Sequence, residues 1–368
     1  MSHGAPPEPR ANPDLLGQEL ALEVLGSAVR SGRLPHGWLF AGPEGIGKAT
    51  LAYRFARALL AAPQGLPATL AVAPDHPVFR QVAQGAHPDL TVLEPERDPR
   101  TGRLKPEIPV AAVRAASAAL QSTAAMGGYR LVVVDGAERL NRNAANALLK
   151  SLEEPPPRAV LILISPRPAQ VAATLRSRCA KLSLGRLPDR LVLDGLARWA
   201  PQLEPEQRGA LALLARGGLG RALELAEEDW LPLYRRLAED LAGDVADRLA
   251  LHELALALAR LAERRGFVAP LGMVQERLGR VIAAGSDRLG PALFAGESAA
   301  LRGLARRHPL DHWAAVWEKV GRLAAAVDGL NLDRAQALFH ILKLVAPASG
   351  QDRIAVADAH LGACDVLG

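Results

Sequence analysis

Residues 39–60 read LFAGPEGIGKATLAYRFARALL, and the fold turns on this stretch. A phosphate-binding loop follows the pattern G-x-x-x-x-G-K-S/T. Its glycines let backbone N–H groups curl around a phosphate, and its lysine adds charge at the N-terminus of the next helix. Gly42, Gly45, Gly47 and Lys48 fit the first seven positions. The eighth should carry a hydroxyl for Mg²⁺ and is Ala49, while Thr50 stands one residue late, about 100° further round the helix. An apolar run before the loop and a helical run after it give the motif its expected context.

Outward from the loop, strand candidates are 37–41, 89–94, 130–135, 159–165 and 180–184. RLVVVD (130–135) and AVLILIS (159–165) are continuous apolar runs, as expected for strands buried on both faces of a parallel sheet. Helical patterns lie between them at 48–62, 109–126 and 142–153, and the alternation predicts a doubly wound α/β domain. Ligands in such sheets sit at the carboxyl ends of the strands, where Gly42, Asp135 and Ser165 fall. The Pro/Ala-rich stretch 59–76 predicts an irregular excursion from this domain. After Leu184 the strand signals stop. Short helices are predicted over 188–229, and Leu/Ala/Arg patterns at helical spacing run from Trp230 onward. No sequence repeat of fixed period points to a solenoid.

The strand 130–135 ends in Asp135, the usual magnesium-shell carboxylate of a phosphate-loop ATPase. Gly136 follows where many such enzymes carry a water-orienting glutamate, and Glu138 is two residues further on. Losing both the metal hydroxyl and the adjacent carboxylate weakens metal fixing and water activation. The pattern therefore predicts a nucleotide fold that has given up hydrolysis.

At 368 residues the chain is long for one core, and two or three domains are expected. A hydrophobic fraction of 49% with 23% charged residues is ordinary for a folded protein, and no apolar run suggests a membrane span. The start, MSHGAPPEPRANPD, lacks an apolar signal core and predicts a loose tail over 1–13. Two cysteines, Cys179 and Cys364, are too few for a disulfide framework or a four-cysteine zinc site, and they fit a reducing, cytoplasmic setting. The net charge of +5 does not by itself distinguish a DNA groove from an arginine-rich surface.

Three segments carry a resemblance: LLGQELALEVLGSAVRSGRLPHGWLFAGPEGIGK (15–48), NAANALLKSLEEPPPRAVLILIS (143–165) and ATLRSRCAKLSL (173–184). They resemble the delta-prime family of bacterial DNA polymerase III clamp-loader subunits, and WEKVGRLAAAVDGLNLDRAQAL (317–338) is similar to its C-terminal part. The resemblance implies an AAA+ architecture: a RecA-like P-loop domain over 14–185, a helical lid over 186–230 and an all-helical collar for oligomerisation over 231–368. It implies tau/gamma and delta subunits as partners in a hetero-pentamer that loads the sliding clamp on primer-template DNA, with no membrane partner. With the metal hydroxyl and the adjacent carboxylate missing, no cofactor is expected to be required, any ATP or ADP binding is expected to be weak and without hydrolysis, and the chain is not expected to be catalytic alone. Many relatives carry a four-cysteine zinc module after the P-loop helix. Here that stretch offers only His76 and His87, so no zinc is expected.

The resemblance assigns further positions. Gly42, Gly45, Gly47, Lys48, Thr50 and Asp135 form a degenerate nucleotide site. Ser165 matches the sensor facing a γ-phosphate, against the alternative of a polar strand-end cap. Arg221 in GGLGRAL matches the second sensor on the lid, against that of a surface arginine. Arg178 of the Ser-Arg-Cys motif matches an arginine finger acting in trans on a neighbouring subunit. Arg176 is the alternative finger, and a local salt bridge is the alternative role for Arg178. Trp313 and Trp317, four residues apart, are expected to pack in a helical core. Two other functions compete: an active ATPase of tau/gamma or Holliday-junction-motor type, with Thr50 or a water rescuing the metal, and a DNA-binding repair module. The second lacks a recognisable nucleic-acid motif.

Overall fold

The structure is a computed structural model that describes residues 6–61, 69–96, 105, 107–227, 230–242, 247–327 and 333–346. The chain divides into two compact units, 1–208 with 212–224 and 209–211 with 225–368. This division falls inside the segment 186–230 expected to form the lid.

The first unit is built on a parallel sheet of β1 (Gly37–Ala41), β2 (Leu90–Leu93), β3 (Arg130–Asp135), β4 (Ala159–Ser165) and β5 (Ala180–Ser183), in the order β2-β3-β4-β1-β5. This is the expected α/β P-loop core. Side chains alternate between its faces, as the two-residue period of a strand requires. Trp38 and Phe40 join one apolar cluster with Leu51 and Phe55, while Leu39 joins the other with Leu148 and Leu163. Helices α1 (Glu19–Arg30) and α2 (Lys48–Ala61) contribute to the first cluster. Helices α3 (Pro77–Ala83), α4 (Val110–Gln121), α5 (Arg142–Glu153) and α6 (Ala173–Arg176) follow, and the last three contribute to the second. The register aligns Ala41 with Ser165 and Asp135 with Ile164, so the P-loop, Asp135 and Ser165 leave the sheet at one end.

The tail expected over 1–13 is held in place from Glu8 onward. Residues Pro9–Ala11 form a 3₁₀ turn, and the buried Arg57 guanidinium donates to Arg10 O and Asn12 O at 2.9 and 2.8 Å. Arg54 donates to Pro13 O at 2.9 Å. Two arginines on α2 thus supply donors for carbonyls of a proline-rich segment, which composition alone does not reveal. Burial lowers the Arg57 pKa to about 10, and its guanidinium lies 4.4 Å from the Phe79 ring centre.

Three short helices, α7 (Asp189–Trp199), α8 (Pro205–Ala215) and α9 (Leu219–Glu227), follow β5. A reciprocal capping box between Glu204 and Gln207 starts α8. The described part of the second unit is helical through α10 (Trp230–Asp240), α11 (Arg248–Arg265), α12 (Val268–Gly285), α13 (Glu297–Ala305), α14 (Leu310–Val327) and α15 (Arg334–Val345). Its core holds a charged knot. The fully buried Glu297 accepts from Arg280 at 3.0 and 2.8 Å, from Tyr234 Oη at 3.1 Å and from Leu293 N at 2.6 Å. Trp313 is buried as expected, but Trp317 is 42% exposed. Val316 and Val320, three and seven residues after Trp313, complete the buried stripe of α14 and turn Trp317 outward.

Candidate functional site

The P-loop leaves β1 at Gly42 and enters α2 at Lys48. Gly45 has φ +72°, a conformation costly to any residue with a Cβ. Lys48 is buried and its Nζ donates back to Pro43 O at 2.5 Å, so the ammonium closes the loop on itself. Burial lowers the Lys48 pKa, against the opposing fields of Glu44, Asp135 and Glu138. Ala49, at the metal-hydroxyl position, packs against the apolar cluster, and Thr50 is half-buried on the first turn of α2. Gln18 braces the loop from below, its Nε2 donating to Ile46 O at 3.3 Å and Gly185 O at 2.8 Å.

The N-terminus of α9 rests directly on this loop. Gly220 N donates to Gly45 O at 2.9 Å. A Cβ at Gly45 would stand 2.3 Å from Arg221 N, and one at Gly218 would stand 2.5 Å from Glu44 O. The contact is backbone on backbone, and only glycines permit it. Arg221, expected as a second sensor, has its backbone at the loop while its guanidinium pairs with Glu224 at 3.3 Å along its own helix.

Asp135 closes β3, and burial, reinforced by Glu94, raises its pKa to about 6. Gly136 turns the chain at φ +88° and donates to Ile164 O at 3.1 Å. Two residues on, Glu138 comes back to the sheet. Its side chain is 5% exposed, it accepts from Ser165 Oγ at 2.7 Å, and Arg167 lies 3.8 Å away. Ser165 Oγ also accepts from Arg167 N at 3.1 Å, so the strand-end hydroxyl is committed twice within the chain. The structure thus joins Glu138 to Ser165 across 27 residues, a pairing with no local sequence signal.

Arg178 stands apart from these groups, between α6 and β5. Its Nη2 pairs with Glu153 at 2.7 Å, its Nη1 donates to Thr174 O at 3.1 Å, and its side chain remains 39% exposed. The local salt bridge weighed against a finger role is therefore present. Among the described residues Arg176 reaches only Pro168 O, at 3.5 Å. Cys179, next in the chain, is half-buried, and burial raises its pKa to about 11. His76 and His87 are used locally: His76 Nδ1 accepts from Val78 N and His87 Nδ1 from Asp89 N, both at 3.2 Å. Among the described residues no cluster of three or more His, Cys, Asp and Glu could hold a metal, and no helix is long and apolar enough to cross a membrane.

Residues 17–188 match the family model described as DNA polymerase III, delta subunit. The delta' subunit of Pseudomonas aeruginosa is 39% identical over 182 residues, covering 50% of this chain and 53% of that protein. The delta' subunit of Escherichia coli is 35% identical over 225 residues, covering 61% and 64%. The tau subunit of Escherichia coli is 30% identical over 224 residues, covering 60% and 33%. The chain thus spans between about half and two-thirds of the length of these delta' relatives. Among solved structures, a DNA polymerase III gamma subunit-related protein of Thermotoga maritima is 19% identical with a TM-score of 0.41, covering 88% of this chain and 98% of that one.

Proposed function

We propose that this chain, whose residues 17–188 match the DNA polymerase III delta-subunit family model and are similar to delta' subunits, is a clamp-loader subunit that does not hydrolyse ATP itself and completes a neighbour's ATPase site with Arg178. Its partners are tau/gamma and delta subunits in a hetero-pentamer, and through that assembly the sliding clamp and primer-template DNA, in the cytoplasm. The lid over 186–230 and the collar over 231–368 serve assembly. The chain needs no zinc, and its own nucleotide affinity is weak.

The observation that carries this reading is the placement of Arg178. It is a half-exposed guanidinium away from the chain's own P-loop, and its carboxylate partner is itself 50% exposed. A planar fork of donors suits the oxygens of a phosphoryl group, and a finger supplied in trans contributes ~10³–10⁵ in rate. The chain's own loop supports the other half of the reading. Lys48 is turned onto Pro43 O, Ala49 offers no metal oxygen, and Glu138 is engaged with Ser165 rather than free to orient a water.

The test is a clamp loader reconstituted from the full chain with tau/gamma and delta subunits. Arg178→Ala should lower DNA-stimulated ATP turnover by ~10³-fold or more with assembly intact, while Arg176→Ala stays close to wild type. Unchanged turnover in Arg178→Ala would overturn the proposal. So would turnover by the isolated chain that disappears on Lys48→Ala.

A further inference from the structure

We infer that Glu153 is the positioning residue for Arg178: it holds the guanidinium extended at the subunit edge and yields it to the neighbour's phosphoryl oxygens. The inference rests on the finger reading of Arg178 given above.

Glu153 is out of place by the rules of its own helix. It is the last residue of α5, where the partial negative charge of the helix terminus disfavours a carboxylate. Its acidic neighbour Glu154 at the C-cap adds to the repulsion. The placement is compensated from outside the helix by the Arg178 Nη2 contact at 2.7 Å. Arg178 is held from the other side as well, since its Nη1 donates to Thr174 O on the single turn of α6. The two contacts hold the two ends of one planar fork, which fixes both the direction and the roll of the guanidinium.

The platform beneath this pair is close-packed. Gly37 starts β1, and a Cβ on it would stand 2.5 Å from Leu152 Cδ2, 3.0 Å from Cys179 Sγ and 3.4 Å from Arg178 O. The residue before Glu153 and the backbone of Arg178 thus meet at one glycine, which sets the separation between carboxylate and guanidinium. The side chains above that platform are open, at 39% exposure for Arg178 and 50% for Glu153. An ion pair so exposed is weak and exchanges readily for a phosphate, which carries more charge and more acceptor oxygens. A buried pair would hold the arginine back; an absent one would leave four rotatable bonds to order at each turnover.

The test uses the reconstituted complex and three variants of the full chain: Glu153→Gln, Glu153→Asp and Arg178→Ala. Glu153→Gln keeps the shape and removes the charge. It should lower kcat for ATP by about two- to fivefold, the rate equivalent of one exposed ion pair, and leave KM for ATP unchanged. Glu153→Asp should recover part of the loss. In the isolated chain, the side-chain order parameter of Arg178 should fall in Glu153→Gln, a change that a merely structural role for Glu153 would not produce. If Arg178→Ala is crippled while Glu153→Gln keeps or exceeds wild-type kcat, the positioning role is overturned. If Arg178→Ala turns over normally, the finger reading fails and the positioning role falls with it, whereas an unchanged Arg178 order parameter in Glu153→Gln overturns the positioning role alone.

Discussion

The α/β unit carries two sets of polar groups that a phosphate could use, and they are held in opposite ways. At the carboxyl ends of β1, β3 and β4, Lys48 is folded onto Pro43 O, Ser165 onto Glu138, and Gly45 onto Gly220. These groups are largely out of solvent, and their partners lie within the same unit. At the start of β5, Arg178 is half-exposed and its main partner is an exposed carboxylate. Burial makes the first set expensive to open, because each freed donor or acceptor would lose a hydrogen bond in a low-dielectric setting. Solvent makes the second cheap to exchange. Substitutions at the closed end should therefore register in stability, and substitutions at the open end in a partner's rate.

Gly45→Ala is the strongest way to break this contrast. Positive φ and a Cβ 2.3 Å from Arg221 N act together, and the variant should lose about 2–4 kcal/mol in urea unfolding. Hydrogen exchange at Gly220 N should accelerate, since its acceptor is Gly45 O. A loss well below this range would mean that the α9 contact gives way easily and the closed end is not closed.

Asp135→Asn sharpens the contrast through pH. The folded-state pKa of Asp135 is raised to about 6 from 3.8, so between those values the native state holds a proton that the unfolded chain has released. Stability from this group is full below pH 3.8 and is lost as pH rises through 6, by roughly 1–3 kcal/mol. Replacing the carboxyl by an amide should flatten the stability profile over that window. A profile identical to wild type would remove Asp135 from the buried set. The smallest effect belongs to the open end. Arg178→Ala should change unfolding stability by about 0.2–1 kcal/mol, as expected for an exposed pair. A cost comparable to that of Gly45→Ala would erase the distinction between the two ends.

How much of this was legible in the sequence follows the range of the interactions. RLVVVD and AVLILIS were readable as strands to their last residues, because burial on both faces leaves no polar interruption. The edge strand β2 is shorter than expected, Leu90–Leu93 rather than 89–94. Asp89 instead turns its carboxylate to Ala125 N and Met126 N, at 2.7 and 2.9 Å. The P-loop and the strand-end placement of Asp135 and Ser165 could be read from motif and context. What those groups touch could not. Gly220 lies far along the chain from Gly45, Glu138 meets Ser165 only once β3 and β4 are paired, and Glu153 meets Arg178 only once α5 and α6 are packed. Local pattern specifies the elements, while these contacts depend on where the elements come to rest.

The raised pKa of Cys179 gives the molecule a chemical clock. At neutral pH a thiol with a pKa of about 11 is ~10⁻⁴ thiolate, whereas the same group at its ordinary value of 9.0 is ~10⁻². Alkylation should therefore run ~10²-fold faster whenever this residue leaves its packing. Cys179 directly precedes Ala180, which pairs with Trp38 at the junction of β5 and β1. Peptide-resolved labelling at this one sulfur thus times the detachment of an edge strand from the sheet, at the residue next to Arg178.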